Sequence, residues 1–331
     1  MADTSGNTNK WLRIAVLIGA ILALLLFLEL YDPWKISLLW DEIFNFGHLP
    51  LFGLISLLLL RVVTLTANRP LPALRRYGYA LAIALVLGAL SEIVQIGGPR
   101  DADIFDFLRD AIGALSFLLI FFAFDPGTRN LAPPIPTGLK RVILLVVALL
   151  LIGGSAHSVA SVGLAWLDRD RAFPTLLSFE HGWEQRFVYA DSATATVVSN
   201  REINPGDSAN HVLRVDFQTY TYTGLILQDL YPDWRGYRTL DFSVYSISPR
   251  TEQLRLRIDD REALNQRDDR FERIVDILPG RNQISVPLEE VQHGPPDGRS
   301  MDMSRIKRIV LFAASQPRHR FNLWFGDFVL K

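Results

Sequence analysis

The segment SEIVQIGGPRDADIFDFLRDAIGALSFLLIFF, residues 91–122, places a polar turn between two strongly apolar runs. It holds one Glu, one Gln, two Arg and four Asp, while the residues on either side are almost entirely Leu, Ile, Val, Ala and Phe. Ionised side chains are unfavourable at membrane depth unless they are paired. The segment therefore predicts a helical hairpin in a membrane, with its ionisable groups gathered at one end.

The composition divides the chain into two parts. Of its 331 residues 49% are hydrophobic, and the mean hydropathy of +0.19 is high for a soluble protein of this size. Long apolar runs continue to about Leu167, and from Asp168 onward apolar and polar residues alternate, which predicts two domains. A formal net charge of -1 gives no indication of a nucleic-acid partner. The absence of Cys excludes disulfides, thiolate chemistry and Cys-based metal sites, and no cofactor is predicted.

Five apolar stretches approach the roughly 20 residues that a helix needs to cross a bilayer core about 30 Å thick. They are residues 11–30, 46–65, 77–96, 107–124 and 142–164. The first lacks a small-x-small cleavage pattern and is interpreted as a retained helix. The predicted fold class is an all-α membrane domain with five transmembrane helices, followed by an all-β extracytoplasmic jelly-roll sandwich.

Orientation follows from the short loops, because Lys and Arg near helix ends favour the cytoplasmic side. The basic residues of the tail and of alternate loops are Lys10, Arg13, Arg61, Arg69, Arg75, Arg76, Arg129, Lys140 and Arg141. The other loops hold little beyond Lys35 and Arg100. This pattern predicts a multi-pass protein of the cytoplasmic (inner) membrane with its N-terminus in the cytoplasm.

The predicted organisation has five parts. Residues 1–10 form a cytoplasmic tail, 11–124 a four-helix membrane domain, and 125–141 a cytoplasmic linker rich in Pro and Gly. Residues 142–167 form the fifth helix and 172–331 an extracytoplasmic, periplasmic β-sandwich. The polar hairpin and the β-sandwich are thus expected on the same side of the membrane.

Spacing brings the ionisable groups of the hairpin together. Glu92 and Gln95 share a face of the third predicted helix, and Asp103, Asp106 and Asp110 form a stripe that enters the fourth. Arg100 lies in the turn between these groups, and His48, at the outer start of the second helix, is expected at the same level. These seven residues are the predicted ligand-binding cluster.

Two interpretations of the cluster remain open. Asp103 and Asp106 could simply favour a helix N-terminus, with Arg100 neutralising them, so that the cluster only clips two helices together. That reading accounts poorly for Glu92 and Asp110, which lie about one turn inside their helices. Intramembrane ionisable residues usually mark a functional site, which makes His48, Glu92 and Asp106 candidate catalytic groups.

The same residues resemble those of the VanZ-like membrane proteins over about the first 125 residues. The matching positions are His48, Glu92, Gln95, Pro99, Arg100, Asp106, Asp110, Gly113 and Ala114. Asp110 stands where that family usually has Asn, and Phe117 where a second Gly often follows. The resemblance implies a role in the bacterial cell envelope, since such proteins are associated with glycopeptide-antibiotic tolerance and polysaccharide loci. It implies no particular reaction.

From about Ala172 the apolar residues recur with a period of two. About 155 residues in eight or so predicted strands indicate a β-sandwich or jelly roll. In QLRLRIDD, Arg255, Arg257 and Asp259 face away from the apolar residues, and Tyr245 does so in another strand. A face carrying such groups could hydrogen-bond and stack on sugars, and the alternative is an ordinary solvated face.

The β region resembles the galactose-binding-like jelly rolls, which include many carbohydrate-binding modules. The matching stretches are LLSFEHGWE, DWRGYRTLDFSVYS, DDRFER, LPGRNQISVPL, RSMDMSRIKRIVLF and LWFGDFVL, in this order. By this resemblance Asp233, Trp234 and Tyr237 belong to the framework. The last strand reads Gly326-Asp327 in place of the paired acidic residues often seen there.

The sequence suggests two functions. In the first, the chain is a non-catalytic envelope protein whose β domain binds cell-wall or exopolysaccharide glycan and whose polar cluster binds a lipid-linked or anionic ligand. The alternative is a membrane enzyme that acts by acid–base chemistry on a lipid-linked saccharide or phosphate. Transport is a weaker hypothesis, because charged residues only at the outer rim of the membrane offer no polar path through the bilayer. The sequence leaves the oligomeric state open.

Overall fold

The computed structural model of the protein describes residues 4–30, 37–96, 103–128, 131, 135–202, 211–261, 266 and 268–331. The chain forms two compact units, Met1–Ser161 and Val162–Lys331. The first is helical and the second is mainly β.

Five long helices account for the apolar half of the chain. They are α1 (Thr4–Leu30), α2 (Leu38–Thr66), α3 (Ala73–Gln95), α4 (Ile104–Phe124) and α5 (Thr137–Ala172). Each is long and apolar enough to cross a membrane. The five predicted stretches therefore coincide with five helices. The helices are longer than the stretches: α2 begins eight residues earlier, and α5 continues into the charged residues before Phe173.

Polar side chains mark where two of these helices begin. The Ser37 hydroxyl accepts from the backbone N–H of Trp40 at the start of α2, at 3.4 Å. The Asp103 carboxylate accepts from the N–H of Phe105 at the start of α4, at 2.9 Å. Such N-caps satisfy backbone donors that have no partner within the helix. Asp103 thus has the helix-starting role that the simpler interpretation gave it.

Helix α2 lies at the centre of the helical unit and packs against α1, α3 and α4. The core it shares with these helices includes Phe52, Ile55, Leu59, Ala80, Ala84, Ala114 and Leu118. Gly113 of α4 lies against the backbone of Leu49 in α2, so close that a Cβ at this position would collide with the Leu49 carbonyl. The two helices therefore approach each other closely beside the polar cluster.

The β unit consists of two antiparallel sheets. The strands of the first sheet are β1 (Thr175–Leu177), β3 (Ala193–Ser199), β4 (His211–Phe217), β6 (Thr239–Ser246), β9 (Gly280–Pro287), β11 (Phe321–Phe325) and β12 (Phe328–Leu330). Those of the second are β2 (Val188–Asp191), β5 (Gly224–Gln228), β7 (Glu252–Asp260), β8 (Phe271–Ile277) and β10 (Ile306–Ala313). A short helix, α6 (Leu288–Gln292), follows β9.

The described part of the chain has twelve strands, more than the eight or so that the sequence predicted. The first sheet runs β1-β12-β6-β11-β4-β3, with β9 also paired to β6, and the second runs β2-β5-β10-β7-β8. Strands β11 and β12 pair with successive parts of β6, separated by Gly326 and Asp327. Three of the strands have only three or four residues, too few for a periodic pattern to be visible.

The alternation predicted for the strands is confirmed. Leu254, Leu256 and Ile258 of β7 are fully buried, as are Leu240 and Val244 of β6. These side chains fill the space between the two sheets, which gives an antiparallel, jelly-roll-like sandwich with a core of its own. Side chains on the opposite face, such as Arg255 and Tyr245, are only partly buried.

Candidate functional sites

The ionisable side chains of α2 and α4 meet in the helical unit. The His48 Nδ1 atom lies 2.9 Å from Asp110 Oδ1, and its Nε2 atom lies 3.8 Å from Asp106 Oδ2. His48 and Asp110 are each 1% exposed and Asp106 is 6% exposed. The two aspartates are four residues apart, so they lie on one face of α4, one turn apart, with the imidazole bridging them. The structure thus brings together three of the predicted residues.

Arg109 supplies a guanidinium that the sequence did not assign to the cluster. It forms an ion pair with Asp106, three residues earlier on α4. The i, i+3 spacing from Asp106 was visible in the sequence, but Arg109 lies at the edge of the predicted stripe and was not included in it. Arg100, which was expected to neutralise these carboxylates, lies outside the described residues.

Glu92 links α3 to the start of α4. Its Oε2 atom accepts from the backbone N–H of Asp103 at 2.8 Å. The side chain is 9% exposed. Glu92 therefore holds the end of α3 to the start of α4.

Gln95 points into a neighbouring polar group centred on Glu29 of α1. Its Nε2 atom donates to Glu29 Oε1 at 3.4 Å, and the Ser91 hydroxyl donates to the same oxygen. Neither Glu29 nor Ser91 was predicted as a site residue. Glu29 is far from the hairpin in sequence, so only the packing of α1 could reveal it.

Three buried polar atoms of the cluster have no hydrogen-bond partner within the part of the chain that the structure describes. They are His48 Nε2, Glu92 Oε1 and Asp110 Oδ2. Buried polar groups are nearly always hydrogen-bonded, so each such atom needs an explanation. Among the described residues, no group of three or more His, Cys, Asp or Glu side chains could hold a metal ion.

The predicted glycan-binding residues lie on two different sheets. Arg255, Arg257 and Asp259 are on the outer face of β7 in the five-stranded sheet, whereas Tyr245 is on β6 in the seven-stranded sheet. Asp259 is 1% exposed and is held by Arg257 and Arg308, at 2.6 and 2.5 Å. One face that presents all four residues to a sugar is therefore not formed, because β6 and β7 join opposite sheets.

A cleft of about 400 Å³ lies on the outer face of the seven-stranded sheet. Residues that line it include Asp241, Ser243, Tyr245, Arg281, Gln283 and Trp324. Strand pairing explains their proximity, since Tyr245 lies directly opposite Arg281 of β9 on one side and Trp324 of β11 on the other. Side chains at directly opposite positions of an antiparallel pair share a face.

The cleft combines aromatic and charged groups. The rings of Tyr245 and Trp324 meet edge to face with centroids 6.3 Å apart, and the Arg214 guanidinium lies 5.9 Å from the Trp324 centroid. Partial burial acts to raise the pKa of Asp241, but hydrogen bonds from Lys331, Ser285 and Thr239 outweigh it and lower the pKa below its ordinary value. Asp241 is thus a charged acceptor in the cleft at neutral pH.

The sequence analysis proposed Tyr245 as a glycan-binding residue but did not propose its neighbours in the cleft, Arg281, Gln283 and Trp324. Arg281 and Gln283 alternate with the positions of Ile284 and Val286 in the same strand, so their outward orientation was visible in the sequence. What the sequence does not contain is the register that places β9 and β11 on either side of β6.

Comparisons with known proteins concern the β unit. No protein-family model matches the chain, and no curated protein matches it. Among solved structures, an exo-β-agarase is similar over 47% of this chain and 24% of its own, with 21% identity and a TM-score of 0.39.

Two carbohydrate-binding modules are also similar. A family 11 module from Clostridium thermocellum, in complex with a β-1,3-1,4-mixed-linked tetrasaccharide, matches over 43% of this chain and 86% of its own, with 15% identity and a TM-score of 0.33. A family 30 module of a cellulosomal cellulase from Clostridium thermocellum matches over 44% and 91%, with 13% identity and a TM-score of 0.33.

Proposed function

We propose that this chain is a VanZ-like multi-pass membrane protein of the bacterial cell envelope whose β unit binds a glycan. The observation that carries the proposal is the cleft on the seven-stranded sheet, where Tyr245 and Trp324 lie among charged and amide side chains. We expect the bound glycan to be a cell-wall polysaccharide or an exopolysaccharide.

The chemistry of the cleft suits a saccharide. Aromatic rings supply apolar surface for the C–H faces of a pyranose, while carboxylate, amide and guanidinium groups form directional hydrogen bonds with hydroxyls. Asp241 supplies an acceptor, Gln283 both a donor and an acceptor, and Arg281 donors. A volume of about 400 Å³ lies within the range of ordinary ligand sites.

Glycan binding is tested on the full chain reconstituted in lipid nanodiscs and applied to a glycan array. Tyr245→Ala should weaken binding by about tenfold, the effect of losing roughly 1.4 kcal/mol of contact energy. Arg255→Ala is the matched control, because it changes an outward side chain on the other sheet. A folded wild-type protein that binds no glycan would refute the proposal, and loss of binding only in Arg255→Ala would move the site to the five-stranded sheet.

The proposed topology has the N-terminus in the cytoplasm and the β unit outside. Its support is the set of basic residues in alternate loops, including Arg61 and Arg76, together with the five apolar helices. A reporter fused after Lys331 that is active only in the cytoplasm should remain inactive. An active reporter would contradict the proposed position of the β unit.

A second candidate function is acid–base catalysis in the membrane on a lipid-linked saccharide or phosphate. It is favoured by His48, whose Nδ1 atom is held by Asp110 while Nε2 has no partner among the described residues. A carboxylate that fixes one imidazole nitrogen leaves the other able to accept a proton. Incubation of the purified chain with lipid-linked saccharides should then give a product that His48→Gln does not form.

A further inference from the structure

A groove of about 450 Å³ lies where α2 and α4 end and α3 begins. Its lining includes Arg61, Arg76, Tyr77 and Asp125, and we call it the basic groove. Arg61 is 13 residues beyond His48 on α2, which is about 20 Å along the helix axis. The basic groove is therefore separate from the polar cluster and lies toward the opposite end of the helices.

The guanidinium of Arg76 is only partly used within the chain. Its Nη2 atom donates to Asp125 Oδ2 at 3.1 Å, whereas its Nε atom is buried and has no partner within the part of the chain that the structure describes. Asp125 already has further donors, the Tyr77 hydroxyl at 3.1 Å and the Gly127 N–H at 2.8 Å. A buried N–H without an acceptor is unfavourable, so Arg76 calls for an acceptor from outside the described chain.

Arg61 brings a second guanidinium to the basic groove. It is exposed, and none of the ion pairs among the described residues includes it. Residues 61–76 hold four arginines and no Asp or Glu, and Asp125 is the one carboxylate that lines the groove. Two guanidinium groups thus face one carboxylate, and the excess of positive charge attracts an anion.

The rest of the lining is apolar and extends toward the middle of the helices. On α2, Leu57 lies four residues before Arg61, about 6 Å farther from the helix end. On α4, Phe121 lies four residues before Asp125, and its side chain is 55% exposed. Charge at the helix ends and uncovered apolar surface beneath it match a phosphate headgroup followed by acyl chains. A small soluble anion would leave the apolar part uncovered.

We propose that the basic groove binds the phosphate of an anionic phospholipid, with Arg61 and Arg76 as its donors. A phosphate diester carries one negative charge and accepts hydrogen bonds through its free oxygens, and a guanidinium binds it with two parallel N–H groups. The inference rests on the proposed insertion of the helical unit in a membrane and is independent of glycan binding. With the proposed topology the lipid belongs to the cytoplasmic leaflet, where basic pockets between helices recognise anionic headgroups.

The test uses the full-length protein in detergent and measures lipid retention by native mass spectrometry. Phosphatidylglycerol, whose headgroup has a net negative charge, should be retained about tenfold more than phosphatidylcholine, whose headgroup is neutral overall. Glycerol phosphate offers the phosphate without acyl chains. It should leave the retention of phosphatidylglycerol unchanged, because it cannot cover the apolar part of the groove.

Two arginine variants distinguish a specific site from a general attraction of anionic lipid to this end of the protein. Arg61→Gln removes one proposed donor and should lower the preference for phosphatidylglycerol about fivefold, the effect of about 1 kcal/mol for one basic residue. Arg75→Gln is the matched control, because Arg75 is exposed at the same end of the helices but is not among the residues that line the groove. It should leave the preference unchanged. Thermal unfolding of each variant verifies that it is folded.

Three results would overturn the proposal. One is equal retention of the two lipids by the folded wild-type protein. Another is a change in preference that is the same in Arg61→Gln and Arg75→Gln, which would leave only a general attraction. The third is displacement of phosphatidylglycerol by glycerol phosphate, which would make the ligand a soluble anion. Retention in detergent does not depend on which side of the membrane the groove faces, so these results are distinct from failure of the proposed topology or of glycan binding.

Discussion

His48 of α2 and Asp110 of α4 are 62 residues apart in sequence, and their side chains form a hydrogen bond of 2.9 Å in the interior of the helical unit. Both side chains are almost completely shielded from solvent. A buried donor that loses its acceptor retains the desolvation penalty without any compensation. This hydrogen bond therefore holds α2 to α4 and also fixes the position of the His48 imidazole in the polar cluster.

Two substitutions of Asp110 distinguish the effect of its hydrogen bond with His48 from the effect of its negative charge. Asp110→Asn keeps a hydrogen-bonding partner for His48 Nδ1, whereas Asp110→Leu leaves this buried nitrogen unpaired, which costs about 2 kcal/mol. We expect Asp110→Leu to lower the free energy of unfolding by about this amount relative to Asp110→Asn. Unfolding of the purified chain in mixed micelles, followed by circular dichroism, measures the difference. Equal stability of the two variants would show that the hydrogen bond contributes nothing.

Gly113 should tolerate no side chain. A methyl group there would overlap the Leu49 carbonyl and lie 2.8 Å from Leu49 Cα, so α2 and α4 would have to separate. Gly113→Ala is expected to destabilise the helical unit by about 1 to 3 kcal/mol. Gly78→Ala in α3 is the control, since a Cβ at Gly78 meets nothing within 4 Å. The same unfolding measurement should show no loss of stability for the control, and a loss as large as that of Gly113→Ala would contradict the packing argument.

Arg299 should be important for the stability of the β unit. Its guanidinium donates to both carboxylate oxygens of Asp260, at 2.7 and 3.1 Å, and to Asp269 at 2.5 Å. Asp260 is completely buried, so Arg299→Met would remove the guanidinium that donates to both of its oxygens, and we expect a loss of stability of about 3 kcal/mol.

The exposed pair of Arg235 and Asp233 provides the control. Arg235→Met should leave unfolding by urea, monitored by Trp fluorescence, unchanged. If both variants behaved alike, the buried network around Arg299 would have no special role.

Asp241 should make stability depend on pH in acid. Its pKa in the folded protein is lowered by hydrogen bonds from Lys331 and Ser285 that outweigh partial burial. The unfolded chain therefore binds the proton at a higher pH than the folded protein does. The stabilising contribution is present above the unfolded pKa of about 4 and is lost as the pH falls through the lower folded value.

The stability of wild type relative to Asp241→Asn isolates this contribution. The difference in free energy of unfolding should be constant between about pH 5 and pH 8 and should shrink below about pH 4. A difference that stays constant into acid would show that the carboxylate is not stabilised in the folded protein. All measurements use the same ionic strength, because salt then screens charge interactions equally at each pH.

Much of the helical unit follows from local properties of the sequence. Length and apolarity are sufficient to predict five helices, because an apolar helix is a solution for any such segment in a bilayer. Spacing along a helix also predicted that Asp106 and Asp110 share a face, since 3.6 residues per turn is a local property. The contact of Glu29 with Ser91 and Gln95 could not be predicted, because it depends on which helix faces pack together.

In the longer strands of the β unit the sequence alone determined which side chains point inward, because the pleat alternates with a period of two. It did not determine which sheet each strand joins. Tyr245 and Arg255 have the same outward pattern, yet they lie on opposite sheets, and Trp324 reaches Tyr245 only through the pairing of β11 with β6. Pairing between distant strands is decided by the energy of the whole packed core, so the cleft and the helical cluster exist only in the tertiary structure.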